Sequence, residues 1–150
     1  MAIDSNLTVS QRVEFSCFYI LEEENEPKLN AHRYVFEATV ECPLLYKQTN
    51  RVLPFAKFRS LCQEVVPDNS YLCSRNLLES DNRFLNLFLA IQNLEIPIRT
   101  FPDKISTEKI LESVSVELHD RLKSIHPEFI LKQTKLRENS NSYASWGPSK

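Results

Sequence analysis

The sequence of 150 residues contains a single glycine, Gly147, and this limits the kinds of site that the chain can build. The dinucleotide-binding G-x-G-x-x-G turn, the Walker A phosphate loop and the G-x-S-x-G nucleophile elbow each need at least two glycines. In these motifs the backbone turns sharply or approaches a phosphate closely, which requires the freedom of glycine. The sequence therefore excludes all three.

The composition is typical of a soluble globular chain. Hydrophobic residues make up 42%, charged residues make up 25%, and the formal net charge is −2. There is no basic surplus for nucleic acid, and no apolar stretch approaches the ~18 residues of a membrane span. The length suits a single domain over residues 1–150. Because the first ten residues lack a signal pattern, we expect a cytoplasmic protein without nucleic-acid or membrane partners.

Strict alternation of apolar and polar residues predicts the strands. The pattern over 12–22 and 31–42 indicates two strands joined by a charged hairpin connection. Residues 129–138 indicate a third strand, and 143–146 indicate a short fourth one.

A helical period predicts two main helices between these pairs of strands. The first begins at Phe55 and the second covers 107–124, with Ser106 or Thr107 as its cap. The apolar segment 84–91 indicates a short extra helix between them. This order predicts an α+β fold, with an antiparallel four-stranded sheet and the two main helices packed on one face. The open edges of such a sheet are usually covered or paired, so we expect a homo-oligomer.

Six short segments resemble, in order, the motifs of one known family. Residues 15–19, F-S-C-F-Y, stand where the family carries F-x-A-A-H on its first strand. Residues 26–34, E-P-K-L-N-A-H-R-Y, stand where it carries C-x-x-L-H-G-H-x-Y. Residues 52–58, V-L-P-F-A-K-F, resemble the hydrophobic-D-F-x-x-L opening of its first helix.

The other three segments follow in the second half of the chain. Residues 68–72, D-N-S-Y-L, resemble D-H-x-Y-L, and 105–108, I-S-T-E, resemble P-T-x-E at the second main helix. Residues 138–146, E-N-S-N-S-Y-A-S-W, resemble a closing E-T stretch with an aromatic at the same distance. Together the six resemble the 6-pyruvoyl-tetrahydropterin synthase and 6-carboxytetrahydropterin synthase family, of which this chain would be a divergent member.

The resemblance implies the tunnelling fold (T-fold), with the order ββααββ. In that family the subunits join their sheets edge to edge into a barrel, typically as trimers stacked into hexamers, with active sites at subunit interfaces. The expected core of the domain covers about 12–147. Residues 77–104 are longer than the family's corresponding segment, and we interpret them as an insertion.

In the family three histidines hold a zinc ion, and the matching residues here are Tyr19, Asn30 and His32. A neutral phenol and a carboxamide are poor zinc ligands, so His32 is the one good ligand retained. The resemblance therefore implies a degraded metal site and no cofactor, with zinc bound only if a carboxylate such as Glu26 rescues the site. Otherwise His32 is a strand-end histidine that faces the sheet interior or an interface.

The family's catalytic positions are also altered. Its cysteine, four residues before the first histidine of H-G-H, corresponds to Glu26, and its Asp-His pair corresponds to Asp68 and Asn69. A buried carboxylate can act as a general base, so Glu26 and Asp68 are the candidate catalytic residues. Asn69 cannot move a proton near neutral pH. Glu26 could equally be an exposed acid in an acidic loop, and Asp68 a turn residue.

Glu138 is the best-preserved functional position. In the family the corresponding glutamate anchors the pterin ring, and a carboxylate can accept two parallel N–H bonds from a 2-aminopyrimidinone edge. Asn139 follows it in place of the family's threonine and can still form hydrogen bonds, so Glu138 and Asn139 are the candidate substrate-binding residues. Glu138 could instead be an exposed strand-end residue. Trp146 could cover a flat ring or belong to the core.

Three functions remain open from the sequence. The first is an oligomeric T-fold protein that binds a pterin- or purine-like ring without zinc-dependent catalysis. The second is a non-catalytic scaffold or interaction protein, for which the Phe- and Leu-rich segment 77–104 would be a contact surface. The third is a lyase, similar to 6-pyruvoyl-tetrahydropterin synthase, that acts on dihydroneopterin triphosphate through Glu26 and Asp68.

Overall fold

The structure, a computed structural model, describes residues 6–23, 26–43 and 53–148. These residues form six strands and four helices. In chain order they are β1 (Asn6–Glu23), β2 (Glu26–Pro43), α1 (Phe55–Val65), β3 (Ser70–Ser74), α2 (Arg75–Ser80), α3 (Asn82–Asn93), β4 (Ile98–Phe101), α4 (Thr107–Ile125), β5 (Ile130–Arg137) and β6 (Tyr143–Trp146). No helix among the described residues is long and apolar enough to cross a membrane.

The strands form one mixed sheet in the order β4-β3-β1-β2-β5-β6. The four strands predicted from the sequence are neighbours in it and pair antiparallel. The prediction of a four-stranded sheet missed β3 and β4, which pair in parallel on the outer side of β1. Every residue of β3 is buried, so this strand lacks the alternation of a half-exposed strand. Helices lie in the chain between β3 and its parallel partners, β1 and β4, because parallel strands need a crossover connection.

The first two strands form a long hairpin that extends beyond the predicted bounds. Each has 18 residues, and they pair from Asn6 opposite Pro43 to Glu23 opposite Glu26. The expected loop between the strands is therefore mostly strand, and its remaining residues, 24–25, lie outside the described part of the chain.

The main core lies between one face of this sheet and the helices α1 and α4. Alternate residues of β1 point into it and are almost fully buried, as Phe15 and Cys17 illustrate. The helices contribute an apolar stripe each. The buried residues of these two stripes are Phe58, Leu61, Cys62 and Val65 on α1, and Ile110, Leu111, Val114, Leu118 and Leu122 on α4. Two helices on one face agree with the periodicity of the sequence.

The extra helix predicted at 84–91 is confirmed as α3, but it packs on the opposite face of the sheet, a position that the sequence did not predict. There α3 packs on β1 and β3 in a second apolar cluster, in which Ile91 is buried beside Tyr71 and Cys73. Phe18 and Ile20, which alternate with the core-facing residues of β1, pack against this second cluster. The segment 77–104 therefore adds a third layer to the fold beside β1 and β3, instead of lying on the same side as α1 and α4.

A buried hydrogen bond joins α4 to β5. The hydroxyls of Ser115 and Thr134 lie 2.6 Å apart, and both residues are fully buried. Ser115→Ala should lower the free energy of unfolding by about 1–3 kcal/mol, because it leaves the Thr134 hydroxyl buried without a partner. Urea denaturation measures the loss. The double variant with Thr134→Val should lose less than the single one, and a loss equal to the sum of both single variants would contradict this explanation.

Candidate functional site

The candidate site lies on the α4 side of the sheet, near the first turn of that helix. The pairing of β1 with β2 places Tyr19 opposite Asn30 and Cys17 opposite His32. Because side chains two residues apart share a face, Tyr34 joins the same row. The Tyr34 ring packs against the His32 ring, with a centroid separation of 5.5 Å, and the Tyr19 and His32 centroids are 6.2 Å apart.

The central contact of the site joins His32 to Glu138. The Nε2 atom of His32 is 3.1 Å from Oε1 of Glu138, and each side chain is 31% exposed. The pairing of β5 with β2 produces this contact, because Arg137 lies opposite Val35 and the next residue is Glu138. The imidazole therefore fixes the orientation of the carboxylate, as an ion pair when it is protonated and as a hydrogen-bond donor when it is neutral.

The start of α4 is tied to the same row of side chains. The Tyr34 hydroxyl lies 3.3 Å from Oγ1 of Thr107, the first residue of the helix. The Ser106 side chain caps the helix by accepting from the N–H of Lys109. The sequence motif at 105–108 pointed to this segment, but it did not predict that Tyr34 and Thr107 belong to the site.

Two phenols lie beneath the His32–Glu138 contact and keep their protons at neutral pH. Burial raises the pKa of Tyr19, and the negative charges of Glu138 and Glu108 add to that rise. Burial also raises the pKa of Tyr34, which is fully buried. Burial likewise raises the pKa of the nearby Cys17 thiol to about 12, with Asp68 adding to the effect. This thiol is therefore a packed apolar group and not a nucleophile.

The two candidate catalytic carboxylates are far apart within one chain. Oδ1 of Asp68 accepts a hydrogen bond of 3.0 Å from the backbone N–H of Ser16. Glu26 is exposed and lies opposite Glu23 in the backbone pairing at the tip of the hairpin. The seven residue-to-residue steps along β1 from Ser16 to Glu23 span about 23 Å. The structure therefore does not bring Glu26 and Asp68 together in a single chain.

The two asparagines singled out by the sequence have local backbone roles. Asn69 adopts a left-handed conformation with φ 52, and its N–H donates to the Ser16 carbonyl at 2.7 Å. Oδ1 of Asn139 accepts from the backbone N–H groups of Asn141 and Ser142, at 2.8 and 3.0 Å. This bonding holds the turn between β5 and β6. The carbonyl oxygen of Asn139 is therefore already used next to Glu138.

Trp146 does not cover the carboxylate of Glu138. It lies opposite Thr134 on β6 and packs against the main core. Since Thr134 is four strand residues before Glu138, the two positions are separated by about 13 Å. Of the two interpretations of Trp146, packing against the core is the one that the structure supports.

Within the described ranges, no group of three or more His, Cys, Asp or Glu residues is arranged to hold a metal ion. The residues at the family's ligand positions are the ones described above, a buried phenol, an amide and an imidazole bonded to Glu138.

The chain is similar to several solved structures, although its sequence gives no match. No protein-family model matches the sequence, and no curated protein matches it. An uncharacterized protein from Wolinella succinogenes matches with a TM-score of 0.69 at 15% identity, over 97% of this chain and 99% of that one. The 6-pyruvoyl tetrahydropterin synthase of Caenorhabditis elegans matches with a TM-score of 0.58 at 17% identity, over 99% and 100%. That of Plasmodium vivax matches with a TM-score of 0.61 at 12% identity, over 98% and 100%.

The chain has the fold of the 6-pyruvoyl tetrahydropterin synthases. The resemblance noted in the motifs is thus confirmed at the level of the fold, over nearly the whole chain. Two further structures of the Plasmodium vivax enzyme carry alanine or cysteine in place of a catalytic glutamate. At these identities the likeness establishes the architecture, and the chemistry has to be argued from the side chains of this chain.

The raised pKa of Tyr34 predicts how stability depends on pH. Above about pH 10 the phenol ionises in the unfolded chain but not in the folded one. Stability from this group is therefore complete below pH 10 and falls above it, by about 1.4 kcal/mol per pH unit. Tyr34→Phe should make this alkaline loss shallower.

Urea denaturation of the protein and of its variants across the alkaline range measures the slope. Tyr143→Phe is the matched control, because this phenol is 55% exposed, and its slope should equal that of the unaltered protein. An equal slope for Tyr34→Phe would show that the buried phenol does not govern alkaline unfolding.

Proposed function

We propose that this protein is a divergent member of the tetrahydropterin synthase family that binds a pterin- or purine-like ring through Glu138, without zinc-dependent catalysis. The observation that carries the proposal is the 3.1 Å contact between His32 Nε2 and Glu138 Oε1. It places a residue from a metal-ligand position of the family against the carboxylate that would hold the ring.

The chemistry of Glu138 suits a ring that presents adjacent N–H groups. A carboxylate has about four lone-pair sites, and His32 occupies one of them. Oε2 and the remaining lone pair of Oε1 can accept the two N–H bonds of a 2-aminopyrimidinone edge. His32 then acts as a positioning residue, because it limits the rotation of the carboxylate before the ligand arrives.

The residues at the metal-ligand positions do not fit zinc. Burial keeps the Tyr19 phenol protonated, and a neutral phenol is a poor ligand. The carboxamide of Asn30 binds zinc no better, and the Nε2 atom of His32 is engaged by Glu138. A zinc site generally needs three strong protein ligands, so we derive no reaction step through a metal.

We propose a homo-oligomer, a trimer or a hexamer, built through the edges of the hairpin. In the described part of the chain, β3 pairs with β1 only at 17–19, and β5 pairs with β2 only from Val35 onward. Among the described residues no strand therefore lies along the outer edge of β1 over 7–15 or of β2 over 29–34, where a further strand could pair. A second copy along β2 would lie directly beside His32.

The alternative function is a lyase that acts on dihydroneopterin triphosphate. The Plasmodium vivax enzyme has a catalytic glutamate. This chain also has a glutamate, Glu26, at the position of the family's catalytic cysteine, and this favours the lyase. Asp68 contacts Ser16 and Glu26 lies opposite Glu23, and these two positions are about 23 Å apart along β1, so the lyase would need Glu26 from a neighbouring copy. The observation that favours the scaffold alternative is the exposure of two apolar side chains on α3, Leu85 at 40% and Leu89 at 46%.

Glu138→Gln tests the ring site. The unaltered protein should bind neopterin or guanine in isothermal titration calorimetry, and the variant should bind at least about tenfold more weakly, because charged acceptors form the stronger hydrogen bonds. The control is Glu112→Gln, which removes an exposed carboxylate on α4 and should leave affinity unchanged. The proposal fails if no pterin or purine binds, or if Glu138→Gln binds as well as the unaltered protein.

Metal removal separates the ring-binding function from the lyase. Dialysis against a chelator should change neither the melting temperature nor the affinity for the ring, since no strong ligand set for zinc remains. Elemental analysis before and after dialysis gives the metal content. Stoichiometric zinc that disappears in His32→Ala, together with turnover of dihydroneopterin triphosphate, would favour the lyase instead.

A further inference from the structure

A second pocket lies at the carboxyl ends of the parallel strands, and no member of the Glu138 site lines it. The strands β1, β3 and β4 run in the same direction. The pairing of β1 with β3 ends at Tyr19 and Leu72, and beyond this point lies a pocket of about 200 Å³ lined in part by the next residues of β1 and by the last residue of β3. Crevices at the carboxyl ends of parallel strands are recurrent ligand sites in proteins.

The walls of this strand-end pocket are mainly apolar. Ile20 and Leu21 come from the end of β1, Leu77 from α2, and Ile105 from the segment before α4. Leu77 and Ile105 are 8% and 3% exposed, so the inner wall is part of the packed interior. An apolar cavity of about 150 Å³ is known to accept benzene. The strand-end pocket is therefore large enough for one six-membered ring with small substituents.

One buried polar group of the pocket has no hydrogen-bond partner in the part of the chain that the structure describes. Ser74, the last residue of β3, is 3% exposed, and its Oγ forms no hydrogen bond among the described residues. The neighbouring polar side chains are already engaged: Asn76 donates to Asp103 at 3.0 Å, and Ser80 donates to the Leu77 carbonyl at 3.2 Å. Since buried hydroxyls are nearly always paired, Ser74 is the group that a ligand would satisfy.

The charge of the pocket indicates the class of ligand. Among its lining residues Lys104 is the one that carries a charge, and it is exposed. The carboxylate of Asp103, the residue before Lys104, accepts a hydrogen bond from the side-chain amide of Asn76. A negatively charged ligand group can therefore meet Lys104, while the apolar walls hold its body.

We propose that the strand-end pocket binds a small aromatic carboxylic acid. The ring fills the apolar space, the carboxylate faces Lys104, and a hydroxyl or carbonyl substituent pairs with the hydroxyl of Ser74. The proposal does not depend on the ring-binding function, because the two sites share no residue.

Isothermal titration calorimetry with benzoate and the three isomers of hydroxybenzoate tests the assignment. The best isomer should bind about fivefold or more tightly than benzoate, because it adds the hydrogen bond to Ser74. Ser74→Ala should remove this difference and leave benzoate binding nearly unchanged. Lys104→Gln should weaken every acid by about tenfold but leave binding of the neutral probe benzyl alcohol unaltered.

Controls keep the test specific to this pocket. Ser60→Ala and Lys109→Gln change an exposed serine on α1 and an exposed lysine on α4, and both should leave the affinities unchanged. Leu77→Phe fills the pocket and should abolish binding, with circular dichroism showing that the variant folds. The proposal is overturned if no acid binds at millimolar concentration, if Ser74→Ala keeps the preference for hydroxybenzoate, or if Glu138→Gln abolishes binding and so assigns the acids to the ring site.

Discussion

The pairing of β1 with β2 is the interaction on which the rest of the structure depends. All 18 residues of each strand take part in it, and this single register decides which side chains of both strands face α1 and α4. It places Tyr19, His32 and Tyr34 in one row on that face. The remaining strands attach to this hairpin, β3 on the β1 side and β5 on the β2 side. The site and the core therefore share one origin.

Much of the fold could be predicted from periodicity, but β3 and β4 could not. Strands with one buried face, such as β1 and β5, alternate in sequence and reveal themselves. By contrast, β3 is five residues long and buried throughout, and β4 has four residues. Neither is long enough to show a period, and their parallel partners are distant in the chain. For the same reason the sequence could not show that α3 packs on the far face.

The site was predictable residue by residue but not as an arrangement. The motifs identified His32 and Glu138 separately, whereas their contact depends on the register of β5 against β2. The turn that uses the Asn139 oxygen also depends on the conformation of the chain, as does the separation of Glu26 from Asp68. Resemblance to a family transfers positions along a chain, and geometry decides which of those positions can act together.

The continuous hairpin also makes the protein unequally tolerant of different kinds of mutation. Replacing a side chain at Tyr19 or His32 alters chemistry but leaves every backbone hydrogen bond of the ladder in place, so new ligands can be acquired without a new fold. Removing a single residue of β2 between the turn and His32 would instead move His32 and Tyr34 to the α3 face and bring Arg33 inward. Evolutionary divergence can therefore change which amino acids occupy this row, while the number of residues between the row and the turn stays fixed.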